Sequence, residues 1–213
     1  MSRIKQIVLA SGNQGKLREM MAMFEPLGIE ILPQSMFDVP EADETGLTFV
    51  ENAIIKARNA AKHSGLPAIA DDSGIAVDAL NGAPGIYSAR FAGPGSNDED
   101  NNKLLLTKLN GLPEEQRTAR FICVMAMMKH EEDPSPLITQ GAWEGEIIEN
   151  AQGENGFGYD PLFWIPSRAL TSAQLEPELK NIISHRGKAA RKMVYLLDEN
   201  RNPDDESNFD KLM

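Results

Sequence analysis

Residues 4–24 read Ile-Lys-Gln-Ile-Val-Leu-Ala-Ser-Gly-Asn-Gln-Gly-Lys-Leu-Arg-Glu-Met-Met-Ala-Met-Phe. Ile4 to Ala10 is a β-rich run, turn chemistry occupies Ser11 to Lys16, and a helical rhythm takes over from Leu17 to Phe24. A strand, a glycine loop and a helix in that order open an α/β unit. Pro26-Leu27-Gly28 ends the helix, Ile29 to Leu32 offers a second short strand, and residues 38–46 form an acidic loop holding Glu41, Asp43 and Glu44.

The next helix has its ends written into the chain. Thr48-Phe49-Val50-Glu51 has the form of a capping box, and Gly65 stands where a left-handed stop belongs, which predicts a helix over 49–64. Val50, Ala53, Ile54, Ala57, Ala60 and Ala61 share one face of it, while Asn52, Lys56, Asn59 and His63 line the opposite one. Pro67 to Ala70 reads as a strand leading into Asp71-Asp72, and Gly74 to Leu80 as a mixed apolar segment. Residues 82–95 are a turn-rich excursion around Tyr87, Arg90 and Phe91. A helix over 98–110 follows, then strands over 120–129 and 140–148 joined by a polar turn. A glycine loop at 153–159, an apolar strand at 161–165 and a last helix from Ser184 to Leu197, with Ser184 as N-cap, complete the pattern. Strands alternating with helices predict an α/β fold, and the expected hairpin makes its central β-sheet mixed, flanked by helices.

The 213 residues suffice for a sizeable core, and 25% charged with 41% apolar residues is ordinary for a soluble globular chain. A net charge of −11 disfavours a nucleic-acid polymer as partner, because such binders carry a basic stripe. No apolar run reaches the roughly 18 residues of a membrane span, and the run before Ser11 is too short for a signal peptide. Cys123, alone in Phe-Ile-Cys-Val-Met, reads as a buried strand residue in a reducing compartment. The simplest localisation is cytoplasmic. Residues 200–213 are polar and acidic and read as a mobile tail beyond a domain of residues 1–199.

Several residue groups have two readings on chemistry alone. Ser11-Gly12-Asn13-Gln14-Gly15-Lys16 is a plain turn or a phosphate site, since loop amides, a helix N-terminus and Lys16 all offer positive potential. It is not a Walker A loop, which needs four residues between its glycines and Ser or Thr after the lysine. Asp71 and Asp72 either solvate a turn or address a ligand. Extended backbone sends adjacent side chains to opposite faces, so the two should divide their labour. Glu44 with one of them would meet the demand of magnesium for hard oxygen ligands. Lys56 is a solvated lysine or a site residue. Phe157, Gly158, Tyr159 and Asp160 form a packing turn or a surface for a flat ring. Lys180, His185, Arg186, Lys188, Arg191 and Lys192 gather cations near the C-terminus, as a basic helix face or a local anion site. His63 and His130 read as surface histidines.

Taken in order, Ser11 to Lys16, Glu44-Thr-Gly-Leu-Thr-Phe-Val-Glu-Asn-Ala53, Ala70-Asp-Asp-Ser-Gly74, Gly82-Ala-Pro-Gly-Ile-Tyr-Ser-Ala-Arg90, Gly156-Phe-Gly-Tyr-Asp-Pro161 and Ser184-His-Arg-Gly187 resemble the inosine triphosphate pyrophosphatase family. The resemblance runs from residue 7 to about residue 197. It implies two lobes around a nucleotide cleft, a homodimer, and Mg2+-dependent hydrolysis of ITP, dITP and XTP to the monophosphate and pyrophosphate. It implies that Ser11, Gly12, Asn13, Gln14, Gly15 and Lys16 hold the triphosphate and that Glu44 and Asp72 bind the metal. Asp72 is also the expected proton acceptor, Lys56 faces phosphate, and Ser73 touches substrate. Phe157, Gly158, Tyr159, Asp160, Lys180, His185 and Arg186 surround the nucleotide.

Two positions depart from the pattern: Ser11 where many relatives have Thr, and Asn155 where a second glycine is common. Neither removes a charged role. Maf-like nucleotide pyrophosphatases are a related reading, but they resemble a Ser-Pro-Arg-Arg start that Ser11 to Gln14 lacks. A catalytically silent nucleotide-binding regulator is the reading of another class, and the Glu44, Lys56 and Asp72 set argues against it.

Overall fold

The structure, a computed structural model, describes residues 4–198. The acidic tail at 200–213 lies outside the described residues. Among the described residues seven strands form one sheet: β1 (Gln6–Leu9), β2 (Glu30–Pro33), β3 (Ala68–Val77), β4 (Thr118–Met128), β5 (Leu137–Ile147), β6 (Phe163–Ile165) and β7 (Leu170–Thr171). Their order is β2-β1-β3-β4-β5-β6-β7. β1 runs parallel to both β2 and β3, whereas β5, β6 and β7 pair antiparallel in turn, so the sheet is mixed as expected. The helices are α1 (Gln14–Phe24), α2 (Phe49–Ser64), α3 (Asp98–Lys108), α4 (Pro177–Ile183) and α5 (His185–Leu197).

The chain divides into two compact units, the first comprising residues up to 72, 123–140 and those from 188, the second 73–122 and 141–187. In the first, Ile7 and Leu9 of β1 join Phe24, Ile31, Ile69, Cys123, Met125, Met127 and Met193 in one core. Val8, which points the other way, is also fully buried. Burial on both faces is the state of a parallel central strand, and it accounts for the unbroken Ile-Val-Leu run. The helix α2 brings Ala53, Ala57, Ala60 and Ala61 to the interior, where small side chains allow close approach. The second unit packs Ile75, Val77, Leu105, Leu109, Trp143, Ile147 and Ile165 around two aromatic contacts. Phe163 lies 4.6 Å from Phe121 and 5.3 Å from Trp143, both tilted, and such pairs contribute about 0.5–1.5 kcal/mol beyond their buried area.

Two boundaries and two elements stand out against the expectation from sequence. Helix α1 begins at Gln14 rather than Leu17, because Asn13 caps it by accepting the Gly15 and Lys16 amides at 2.8 and 3.0 Å. Strand β3 does not end at Ala70 but runs on to Val77, carrying both aspartates inside the sheet at 5% and 7% exposure. Strand β7 and helix α4 have no counterpart in that reading; the Pro at the first position of α4 is the signal that marks it. The expected cap at Ser184 is present, its Oγ accepting the Gly187 amide at 3.2 Å.

Gly145 of β5 is a site of close approach. A Cβ there would lie 2.5 Å from the Trp164 carbonyl oxygen and 2.6 Å from the Phe163 ring. Gly145→Ala is therefore expected to destabilise the protein by about 1–3 kcal/mol, the usual cost of overpacking. A urea midpoint equal to that of the parent would contradict this.

Candidate active site

In β3 the alternation of side chains separates the two aspartates, and each meets its own cation. Asp71 accepts from Lys16 Nζ with both carboxylate oxygens at 2.9 Å. Asp72 takes Lys56 Nζ on Oδ1 at 2.6 Å, and Glu44 Oε1 lies 3.2 Å from the same nitrogen. Strand β3, helix α2 and the acidic loop thus bring Glu44, Lys56 and Asp72 together, all within the first unit.

The second oxygen of Asp72 is buried and has no hydrogen-bond partner among the described residues. Burial raises the Asp72 carboxyl above its ordinary value, with Glu44 and Asp71 adding to the shift and Lys56 opposing it. For Lys56 burial acts to lower the ammonium, but Asp72, Asp71 and Glu44 outweigh it and the group titrates above its usual range. Three carboxylates face two ammonium groups here, which leaves a formal surplus of one negative charge. Among the described residues no group of three or more His, Cys, Asp or Glu gathers in metal-holding geometry. The available donor set is Glu44 and the open oxygen of Asp72, and one or two carboxylates completed by phosphate oxygens and water is what magnesium takes.

The glycine loop differs from its expected form. Besides the two amides capped by Asn13, the Asn13 amide donates to Ser11 Oγ at 3.2 Å, so these donors are satisfied within the loop itself. Gly12, Asn13 and Gln14 are exposed, and Lys16 is the group of this stretch tied to the acidic centre. The polar stripe of α2 is not a solvated face. Asn52 is fully buried, and Asn59 Nδ2 donates to the Pro40 carbonyl at 2.7 Å. His63 and His130 are exposed, as read from the sequence.

The remaining expected residues belong to the second unit, Ser73 among them. Asp160, 3% exposed, accepts from the Phe157 amide at 2.9 Å, Ser172 Oγ at 2.8 Å and Lys180 Nζ. Gly156, at φ +82°, leaves space for that carboxylate, which a Cβ would strike. The Phe157 ring is half exposed, with Lys180 Nζ 5.3 Å and the Arg186 guanidinium 5.7 Å from its centroid. Gly158 is held at both ends, its amide by Asp98 at 2.6 Å and its carbonyl by Asn102 at 2.8 Å. Tyr159 is buried, its hydroxyl donates to the Ser88 carbonyl at 2.8 Å, and burial pushes its phenol well above the usual value. His185 lies flat against Phe121 at 4.8 Å, and Arg186 beside it in sequence is 6% exposed. Asn155 ties the loop down through Nδ2 to the Leu175 carbonyl. Sequence alone assigns no role to Asp98, Asn102, Ser88 and Ser172: the first three are more than fifty residues from the loop residues they bind, beyond the reach of any local pattern, and Ser172 is 12 residues from Asp160.

Residues 7–196 match the model of the Ham1 family. A dITP/XTP pyrophosphatase of Thioalkalivibrio sulfidiphilus is 61% identical over 90% of this chain and 98% of its own. One of Photobacterium profundum is 58% identical over 91% of this chain and 98% of its own. A solved HAM1 protein of Coxiella burnetii superposes with a TM-score of 0.88, at 51% identity over 92% of this chain and all of its own. With the family pattern spanning the sheet and the sequence motifs alike, the chain belongs to the Ham1 family.

Proposed function

We propose that this chain hydrolyses non-standard purine nucleoside triphosphates, ITP, dITP and XTP, to the monophosphate and pyrophosphate, and so cleanses the nucleotide pool. The observation that carries this reading is the carboxylate centre of the first unit: Asp72, held on one oxygen by Lys56 and open on the other, with Glu44 on the same ammonium. Relatives named dITP/XTP pyrophosphatase, aligned over nine-tenths of the chain, support the substrate class.

Glu44 and the open oxygen of Asp72 would hold Mg2+, which when bound supplies positive charge to the phosphate oxygens. The Asp72 carboxylate takes the proton of the attacking water, and burial raises its basicity for that task. Oxygen of water bonds to the α-phosphorus as the bond to the bridging oxygen breaks, and pyrophosphate departs. Lys56 keeps Asp72 in place, and Lys16, positioned by Asp71, draws the triphosphate with the loop Ser11 to Gln14. Phe157 offers its half-exposed ring to the base, with Lys180 and Arg186 above it. Asp160, Gly158 and Tyr159 hold this loop in shape around the nucleotide, and Ser73 contributes a hydroxyl to substrate. His185 and Arg186 donate to the 6-oxo group, which penalises adenine, and a site without a partner for a 2-amino group penalises guanine.

The same reading makes residues 1–199 one pyrophosphatase domain, working as a homodimer in the cytoplasm with no nucleic-acid or membrane partner. Its support is the match over 7–196, the net charge of −11, the burial of Cys123, and the finding that no helix among the described residues is long and apolar enough to cross a membrane.

Asp72→Asn is expected to lower turnover of ITP by at least about 10²-fold, the scale for losing a general base, with an unchanged circular dichroism spectrum. Near-parental turnover by the folded variant would remove Asp72 from the chemistry. Steady-state kinetics should also give kcat/KM for ITP and XTP at least about 10²-fold above those for GTP and ATP, the discrimination expected where hydrogen-bonding groups go unpaired on the wrong base. Equal values for ITP and GTP would refute the scheme of base selection.

A further inference from the structure

The acidic loop is laid along helix α2 in opposite direction, one contact after another. Pro40 meets Asn59, Glu44 meets Lys56, Gly46 meets Asn52 and Leu47 meets Glu51. The helix partners fall at 51, 52, 56 and 59; 52, 56 and 59 follow one another by a turn and 51 flanks 52, so all four lie toward one side of the helix. Three of these contacts hold loop backbone rather than side chain. Asn59 Nδ2 donates to the Pro40 carbonyl at 2.7 Å, the Gly46 amide donates to Asn52 Oδ1 at 2.9 Å, and the Leu47 amide to Glu51 Oε2 at 2.9 Å.

Glu44 itself is partly exposed, and the ion pair to Lys56 at 3.2 Å is too weak a bond to fix a loop. The backbone contacts on either side of it hold the loop that carries it. Asn52 is the innermost of these, and two features single it out. It is fully buried, and its Nδ2 has no partner among the described residues, so the amide carries an unsatisfied donor into the interior. The buried positions around it on α2 are alanines, and an alanine at 52 would spare that loss. On the other side, a Cβ on Gly46 would sit 2.6 Å from Asn52 Oδ1 and 3.0 Å from the Asn52 amide nitrogen. Loop and helix meet at a distance that only glycine permits.

We infer that Asn52, with Gly46 opposite it, is a positioning residue that places the Glu44 carboxylate beside Asp72, with Asn59 holding the far end of the same loop. This rests on the role given above to Glu44 as a metal ligand. Residues that orient a ligand in this way change metal affinity without touching the metal.

The test uses the full chain with Mn2+ as the probe, its binding followed by the electron paramagnetic resonance of the free ion, and amide exchange at Gly46 followed by NMR. Asn52→Ala and Gly46→Ala are each expected to weaken Mn2+ binding about tenfold, the scale of lost outer-shell support. They should raise the Mn2+ concentration for half-maximal ITP hydrolysis by the same factor and largely preserve kcat at saturating Mn2+. Exchange at Gly46 should quicken in Asn52→Ala. If both variants fail to fold, Asn59→Ala, whose side chain is only half buried, is read for the same direction of change. Glu44→Gln separates the two claims. If it weakens Mn2+ binding while the folded Asn52→Ala and Gly46→Ala bind as the parent does, the positioning role is overturned. If Glu44→Gln leaves Mn2+ affinity untouched, the fault lies in the role given to Glu44, and the exchange rate at Gly46 still decides whether Asn52 holds the loop.

Discussion

A carboxylate inside a β-sheet is tolerable only with a charge to meet it, and the contact of Asp72 with Lys56 at 2.6 Å supplies one. Much of the first unit follows from that pair. Lys56 must come from a helix lying close to β3, and the alanine stripe of α2 allows the approach. Its other acidic neighbour, Glu44, must come from a loop that the same helix holds. One oxygen of Asp72 is committed to this arrangement and the other is not, so the group is fixed in place and still has an acceptor to offer. Burial disfavours the charged form while Lys56 favours it, and the balance leaves a carboxylate more basic than a solvated one.

The second unit has a comparable hub in Asp160. Its carboxylate binds the Phe157 amide, Ser172 and Lys180, and through them shapes the loop that carries the exposed Phe157 ring. Both hubs are acids that do most of their work on neighbouring protein groups. They differ in what is left over: Asp72 keeps a free oxygen, whereas Asp160 has hydrogen bonds on both of its oxygens. In the proposed mechanism that difference separates the reacting group, Asp72, from the supporting one, Asp160.

What the chain made legible follows the range of the interactions. Helix α2 could be read whole because its cap, its stop and its alanine stripe lie within a few turns of one another. The division of Asp71 from Asp72 could be read too, since strand alternation is a property of adjacent residues. The continuation of β3 through the two acids could not, because the acids there meet Lys16 and Lys56 in ion pairs, and Lys16 is 55 residues from Asp71. The start of α1 was hidden by a sequence that suits both a loop and a capped helix, with Asn13 deciding for the helix. The polar stripe of α2 was visible as a stripe, yet nothing local distinguished solvent from an acidic loop as the partner of Asn52 and Asn59. The family motifs pointed to the residues; the hydrogen bonds gave the reason for several of them.

The central claim is that a carboxylate-activated water attacks the α-phosphorus of a non-standard purine triphosphate, releasing pyrophosphate in one step. Hydrolysis of ITP in 18O-enriched water, with both products weighed by mass spectrometry, tests it directly. The account predicts one 18O atom in the monophosphate and none in the pyrophosphate. Label in the pyrophosphate, or inorganic phosphate as the first product, would contradict it.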